Sequence, residues 1–450
     1  MFLTQYKKFL PLFVRNFLRT YINQLKFIIF RVKKFGFLKT TRELLPIYIN
    51  NICSIFISIP IAIFVFLLIP VVKIRLIRLL SERLGHFALN TEIMLCAFDV
   101  GVLNKQGENG KTKYFFYTDR VISNQQLYKM WKRVLPILPF PTIFKQVDKT
   151  LSILSRQYKT DRLKKTVEQG IWADDKLRLM ERVPHQHVFF TKNEEKKGKD
   201  LMNMLGLPSG ARYVCLAVRD SLYLNKLFPV YDWTYHDHRN ADIMTYRKAA
   251  LFLAEQGYYV IRMGKWVGDR FDVVHPHIID YANSPFQSDF LDIYLSSQCE
   301  FFISTSTGID AIPQLFRRPI LFSNISVSRE LQAYSSRSIF IPKKIKNTKL
   351  GRFLTFKEVS EFMILHDKLG GYSNLLQLLS DNHLELINNT EDEILDIVQE
   401  MEQRLNGTFK DDDDDLERQQ NFWAEYAFYP PRKIDDIRVK LGRNFLRSML

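Results

Sequence analysis

At 450 residues, 46% hydrophobic and 25% charged, the chain has room for two full domains and further segments around a substantial core. Its formal net charge of +16 is concentrated at one end, because residues 1–83 hold fourteen Lys and Arg against Glu43 and Glu82 alone. A basic, aromatic-rich start beside an apolar run points to anionic lipid; nucleic acid is the competing partner for that charge, but no DNA- or RNA-binding motif accompanies it.

Residues 1–83 read as a membrane anchor. Phe9, Phe13, Phe17, Tyr21, Phe27, Phe30, Phe35 and Phe37 alternate with cations, the pattern of an amphipathic helix lying on a bilayer. From Ile52 to Val72 there are 21 uncharged residues, about 31 Å if helical and enough to cross a hydrocarbon core. Pro60 and Pro70 interrupt that run and both flanks are basic, so both ends favour the cytoplasm. A helix broken near Ser58–Pro60 that dips in and returns fits these features, as does a single span. Cys53, Cys96, Cys215 and Cys299 lie far apart without CxxC spacing, which argues against a disulfide framework or structural zinc and for a reducing compartment.

Residues 84–205 read as a first α/β domain. Gly85–Gly101 has helical apolar spacing at Leu89, Ile93 and Cys96 or Ala97, Lys113–Tyr117 is a short strand, and Asn124–Leu135 is a helix ended by Pro136, Pro139 and Pro141. Residues 143–205 look polar and irregular, with Asn193–Lys199 a solvated loop.

Residues 206–345 are clearer. Strands are expected at Tyr213–Val218, Tyr258–Met263, Ile278–Tyr281, Phe301–Ile303 and Pro319–Phe322, with helices at Ala241–Gln256, at Ser288–Ser296 and up to Phe316. Polar residues cluster where these strands end, the edge at which open α/β sheets bind ligands. After Ile303 come Ser304, Thr305, Ser306, Thr307 and Gly308, a hydroxyl-rich turn into a helix that suits an anion such as a diphosphate. The same hydroxyls also serve an ordinary N-cap and β–α turn, and the loop is neither a P-loop nor a GxGxxG turn. Arg219, Arg262 and Lys265 fall at neighbouring strand ends, where they would neutralise a diphosphate without a metal. Between them, Trp233–Asp242 is dense in proton-exchanging groups. Asp220, His236, Asp237, His238 and Asp242 are all candidates for a general base.

VRDSLYL (218–224), HDHRNADIMTY (236–246), QGYYVIRMGK (256–265), DYANSPFQSDFLDIYL (280–295) and FFISTSTGIDAIP (301–313) together resemble bacterial surface-polysaccharide glycosyltransferases with a GT-B-like fold, and GHFALNTE (85–92) is similar to that family's entry into its first domain. The resemblance covers 84–325. It implies two Rossmann-like domains, transfer of a sugar from a nucleotide-sugar donor to a glycan or lipid-linked acceptor, and a nucleotide held by the second domain. The long basic, apolar extension departs from that family.

In the tail, 346–450 is expected to be helical. Thr390 and Glu393 form a capping box ahead of periodic Ile394, Ile397, Val398, Met401 and Leu405, and Asp411–Asp415 reads as a solvated helix start. Leu416–Leu450, helical beyond Pro430-Pro431, would cross back onto the first domain, as final helices do in GT-B-like folds. Six of nine histidines fall in HxH pairs, His185/His187, His236/His238 and His275/His277, which on a strand share a face. With no carboxylate or cysteine at tight spacing, no metal is expected.

The resulting expectation is a membrane-associated, cytoplasm-facing glycosyltransferase that needs neither metal nor cofactor beyond its nucleotide-sugar substrate. Ser304, Thr305, Ser306, Thr307 and Gly308 would hold the phosphates with Arg219, Arg262 and Lys265, while Asp220, His238, Arg239 and Asp242 would line the reacting centre. A non-catalytic carbohydrate-binding or assembly subunit of a membrane polysaccharide complex is the competing reading.

Overall fold

The computed structural model describes residues 29, 32, 36–69, 71–103, 112–155, 158, 175, 177–227, 232–326, 335–369, 375–425 and 439–449. Of the amphipathic helix expected over residues 1–50, most of the stretch before residue 36 lies outside the described residues, as does the Pro430-Pro431 turn. The chain divides into two compact units, residues 1–67 with 142–154, and residues 68–141 with 155–450.

In the first unit one helix runs from Phe37 to Leu68, with Pro46 and Pro60 inside it. The expected break near Ser58–Pro60 is absent. A proline removes one backbone donor and crowds the preceding turn, but the helix continues on both sides of Pro60, and Ser58 Oγ donates to Ile55 O at 2.8 Å. Within this helix Ile49–Leu68 is long and apolar enough to cross a membrane. Phe56, Phe64 and Leu67 stay 71%, 63% and 68% exposed. A second helix, Pro141–Leu154, starts on the proline expected to end the preceding one. Proline suits a first helical turn, where its missing N–H costs nothing.

The second unit is built on a parallel seven-stranded sheet. Its strands are β3 (Tyr213–Ala217), β4 (Tyr259–Arg262), β5 (Ile278–Ile279), β6 (Phe302–Ser304), β7 (Ile320–Ile325), β8 (Ile339–Pro342) and β12 (Lys440–Leu441), in the order β12-β8-β7-β6-β3-β4-β5. From β3 the chain winds one way through β4 and β5, then returns to β6 on the other side of β3. The crevice between the carboxyl ends of β3 and β6 is therefore the switch point. β3, β6, β7 and β8 are buried at every position, which explains why they are predominantly apolar, with Ser304, Ser323 and Asn324 the polar exceptions.

Among the described residues, the first half holds a two-stranded parallel sheet of β1 (Lys73–Arg78) and β2 (Thr112–Tyr117), with a further bridge from Phe116 to Ile137. β1 lies in the stretch read as anchor: its Lys-Ile-Arg-Leu-Ile-Arg alternation looks like a basic flank, yet Leu76 and Ile77 are buried. The helix Leu84–Asp99 follows, buried from Phe87 to Phe98. It packs with Trp131 from the helix Gln125–Val134 and with Ile312 and Leu315 beyond β6. Asn124 caps the Gln125–Val134 helix by accepting from Leu127 N.

The expected loop Asn193–Lys199 is instead part of a helix, Lys192–Met204. Its capping box, Thr191 and Glu194, was present in the sequence but lacked the apolar periodicity that follows Thr390. Glu194 also accepts from Gln126 Nε2 at 2.7 Å and pairs with Arg133, which fixes the helix to its neighbour. Gly198 faces Tyr294, and a Cβ there would stand 2.2 Å from ring atom Cζ. Gly198→Ala is expected to lower stability by about 1–3 kcal/mol despite its higher helix propensity, because overpacking outweighs propensity. The urea midpoint checks this.

The tail also differs. β9 (Lys344–Asn347), β10 (Arg352–Phe353) and β11 (Leu384–Ile387) form an antiparallel sheet in the region expected to be helical. The helix Glu391–Leu405 forms with its capping box as expected, burying Ile394, Ile397, Val398 and Met401. Among the described residues, the chain end adds β12 to the edge of the large sheet beside β8, where a crossing to the first half was expected. Charge pairs secure it: Asp411 meets Arg404 at 2.6 Å and Lys440 at 2.7 Å, and Asp415 meets Arg443 and Arg447, each at 2.7 Å. The helix Asp413–Glu425 does start in the acidic run, but Asp415 is buried rather than solvated.

Candidate functional site

A cavity of about 330 Å³ opens at the switch point. One wall comes from the carboxyl ends of β3, β4 and β6, through Ala217–Asp220, Met263–Val267 and Ser306–Asp310. The facing wall is the start of the Leu84–Asp99 helix, with Glu82–His86, Leu89 and Asn90, joined by Ser123 and Asn124. The two walls meet closely: a methyl built on Gly85 would lie 3.6 Å from Gly308 O.

The structure separates the expected phosphate loop into two roles. Ser304 and Thr305 are buried and turned to internal partners. Ser304 Oγ donates to Asp310 Oδ2 at 2.8 Å, and Thr305 Oγ1 accepts from Arg219 N at 2.9 Å. Ser306, Thr307 and Gly308 line the cavity. Ser306 has φ +60°, a left-handed conformation that serine rarely adopts. The N–H of Thr307 already donates to Asp310 Oδ2 at 2.8 Å, so a carboxyl of the chain itself occupies the nest expected to receive a ligand anion. Burial pushes that carboxyl up to about 7, against the hydrogen bonds from Ser304 and Thr307 and the nearby Arg239 charge. The helix after the loop, Ala311–Leu315, has only five residues and offers little dipole of its own.

The expected cations also divide. Arg219, Lys265 and Arg239 reach the cavity, with Arg83 on the far wall. Arg239 Nη2 donates to Ser306 O and so holds the loop. Lys265 pairs with Asp289 at 2.9 Å; burial disfavours its charge, but the hydrogen bond and charge of Asp289 prevail and its pKa is raised. Arg262 is not among the cavity walls. It is 1% exposed and pairs with Asp280 at 3.2 Å, which ties β4 to the segment after β5.

Of the residues expected at a reacting centre, Asp220 and Arg239 line the cavity, whereas His238 and Asp242 do not. His238 is buried, with Nδ1 2.9 Å from Tyr235 O. Asp242 caps the turn Ile243–Tyr246 by accepting from Met244 N at 2.8 Å. Asp220 joins two loops, accepting from Leu222 N at 2.9 Å and from Gly268 N at 2.8 Å. His236 lines the cavity and stacks on Trp233, while Asp237 accepts from Asn240 Nδ2 at 3.0 Å.

Among the cavity residues that were not predicted, four bear on its chemistry. His86 sits in the first turn of the Leu84–Asp99 helix, its pKa lowered by burial and then by the Arg83 charge, against a smaller opposing effect of the Asn90 side chain. Asp292 is pushed up to about 7, chiefly by burial, and accepts from Tyr281 Oη at 2.8 Å. Tyr223 and Trp266 set their rings 5.6 Å apart on the cavity wall. Recognising β1 would have flagged His86, because it then falls in the first turn of a helix that follows a strand.

Fold and site together define an α/β protein with a cavity lined by cations, carboxyls and hydroxyls at the switch point of a parallel sheet. No family model matches the chain, and no curated protein matches it. Among solved structures it is similar to a glycosyl transferase family 9 protein from Veillonella parvula DSM 2008, at 9% identity and TM-score 0.35 over 69% of this chain and 97% of that one. It is also similar to the ADP-heptose lps heptosyltransferase II of E. coli, at 10% identity and TM-score 0.31 over 69% and 98%. A third similarity is to the E. coli heptosyltransferase WaaC with ADP, at 11% identity and TM-score 0.30 over 67% and 100%.

Proposed function

We propose that this chain is a membrane-associated glycosyltransferase that moves a sugar from a nucleotide-sugar donor to a surface-polysaccharide or lipid-linked glycan acceptor. The observation that carries the reading is the meeting of Arg219, Arg239 and Lys265 with Ser306–Gly308 at the switch-point cavity. Guanidinium forks and an ammonium around one space suit a diphosphate, and they stabilise the charge that grows on it as the sugar leaves, a role that calls for no metal. The paired rings of Tyr223 and Trp266 offer the flat apolar surface that a nucleobase needs. His86 stands on the opposite wall. A lowered pKa keeps its imidazole neutral near pH 7, so it can accept the proton of an acceptor hydroxyl.

The first test is nucleoside diphosphate binding by calorimetry across pH. Asp292 and Asp310 are each pushed up to about 7, so raising the pH from 6 to 8 adds negative charge to the cavity wall. Nucleoside diphosphate affinity should fall over that range, and Asp310→Asn should flatten the dependence. The same shifts make folding pH-dependent: a carboxyl whose folded pKa exceeds its unfolded value of 3.8 contributes stability that is fully present below about pH 4 and lost as pH rises through about 7. No saturable binding of any nucleoside diphosphate at pH 6 would remove the reading.

Membrane attachment is assigned to residues 1–68, on the exposed apolar surface of the Ile49–Leu68 stretch. The full chain should float with anionic liposomes and remain bound at 1 M salt, whereas a chain lacking residues 1–68 should stay at the bottom of the gradient. Release of the full chain by salt alone would show a purely electrostatic contact.

A further inference from the structure

We infer that His185, His187 and Asp99 form a binding site for a zinc-class divalent cation, with Glu92 as the outer partner of His187. His187 Nε2 lies 2.8 Å and His185 Nε2 3.5 Å from the same oxygen, Asp99 Oδ2. Ligand atoms around tetrahedral zinc stand about 3.3 Å apart, and these two distances bracket that value. Three ligands leave a fourth position to water, and the 66% exposure of the His185 side chain keeps that side open.

The support behind the site is built rather than incidental. Glu92, fully buried, sits 3.2 Å from His187 Nδ1. At that distance the carboxylate steadies the imidazole ring from behind, while Nε2 is held 2.8 Å from Asp99 Oδ2, where a cation bound by both would replace the proton they otherwise share. Arg317 neutralises Glu92 at 2.8 Å and also donates to Val183 O at 3.0 Å and His185 O at 2.8 Å. The backbone carrying both histidines is thereby pinned to the helix that carries both carboxylates. His236/His238 and His275/His277 have no such support: among the described residues, the groups with metal-ligand proximity contain only the His185/His187 pair. Sequence spacing argued against a metal here because Glu92 and Asp99 lie about ninety residues from the histidines.

The alternative occupant is a proton, with His187 as an imidazolium between two carboxylates and His185 a bystander. Zinc chloride titrated by calorimetry into the untagged full chain in detergent at pH 7.5 decides between them. The expected result is one-to-one binding that weakens at least tenfold in His185→Ala and in Asp99→Asn and is unchanged in His275→Ala. Zinc should also raise the Tm by about 3 °C at a hundredfold excess over Kd, and not in His185→Ala. His185 is exposed, so its removal leaves the fold intact. Absence of saturable binding, or equal affinity in wild type and His185→Ala, overturns the proposal. Neither result depends on the nucleotide cavity.

Discussion

His86→Gln is expected to lower sugar transfer by about 10²–10⁴-fold while leaving nucleoside diphosphate binding within about twofold. Arg219, Lys265 and Ser306–Gly308 sit on the strand-end wall, and His86 on the wall formed by the Leu84–Asp99 helix. A residue that removes a proton from the acceptor acts in the chemical step, so its loss lowers kcat more than it raises the KM for the donor. Glutamine keeps the hydrogen-bonding size of the ring but cannot titrate. The lowered pKa of His86 further predicts an acidic limb in the pH–rate profile below the ordinary imidazole range, absent in the variant. If binding falls together with turnover, His86 is a donor contact and the base lies elsewhere on the cavity wall.

Arg262→Met is expected to destabilise the fold by about 3 kcal/mol and to spare the turnover of the protein that remains folded. From the sequence alone the opposite was expected, since a cation at a strand end reads as a phosphate ligand. The structure buries Arg262 against Asp280 at 3.2 Å, away from the cavity. Removing the guanidinium leaves a carboxylate without its counter-charge. The cost falls at the low end of the range for a broken buried pair because the Asp280 side chain keeps 20% exposure and still accepts from Phe271 N and Asn283 Nδ2. Urea denaturation and single-turnover kinetics separate the two accounts: unchanged stability with lost turnover would return Arg262 to the donor site.

The strands β3, β4, β6 and β7 and the helices Asp289–Gln298 and Glu391–Leu405 were legible because each announces itself locally. Apolar runs bounded by Gly257 or Pro319, and caps at Ser288 and Thr390, act within four residues of the element they start or stop. What failed lacked that local signature. β1 alternates cations with apolar residues and becomes a strand only through its pairing with β2. β12 is two residues long, too short for any period, and is held by Leu441 burial and by Asp411 and Asp415.

The site divides in the same way. By itself the sequence determined that a hydroxyl-rich turn would follow the central strand and that cations would stand at strand ends, because strand periodicity and turn chemistry are local properties. Only the tertiary structure decided which groups face the cavity. It turned Ser304 and Thr305 inward and buried Arg262, and it brought His86 across from the other half of the second unit. The reason is physical: whether a polar side chain meets solvent, a ligand or an internal partner depends on neighbours far along the chain, 86 residues away for Arg219 and Thr305 and 225 for Glu92 and Arg317. Those neighbours are set by how the layers pack, and no short stretch of chain carries that information.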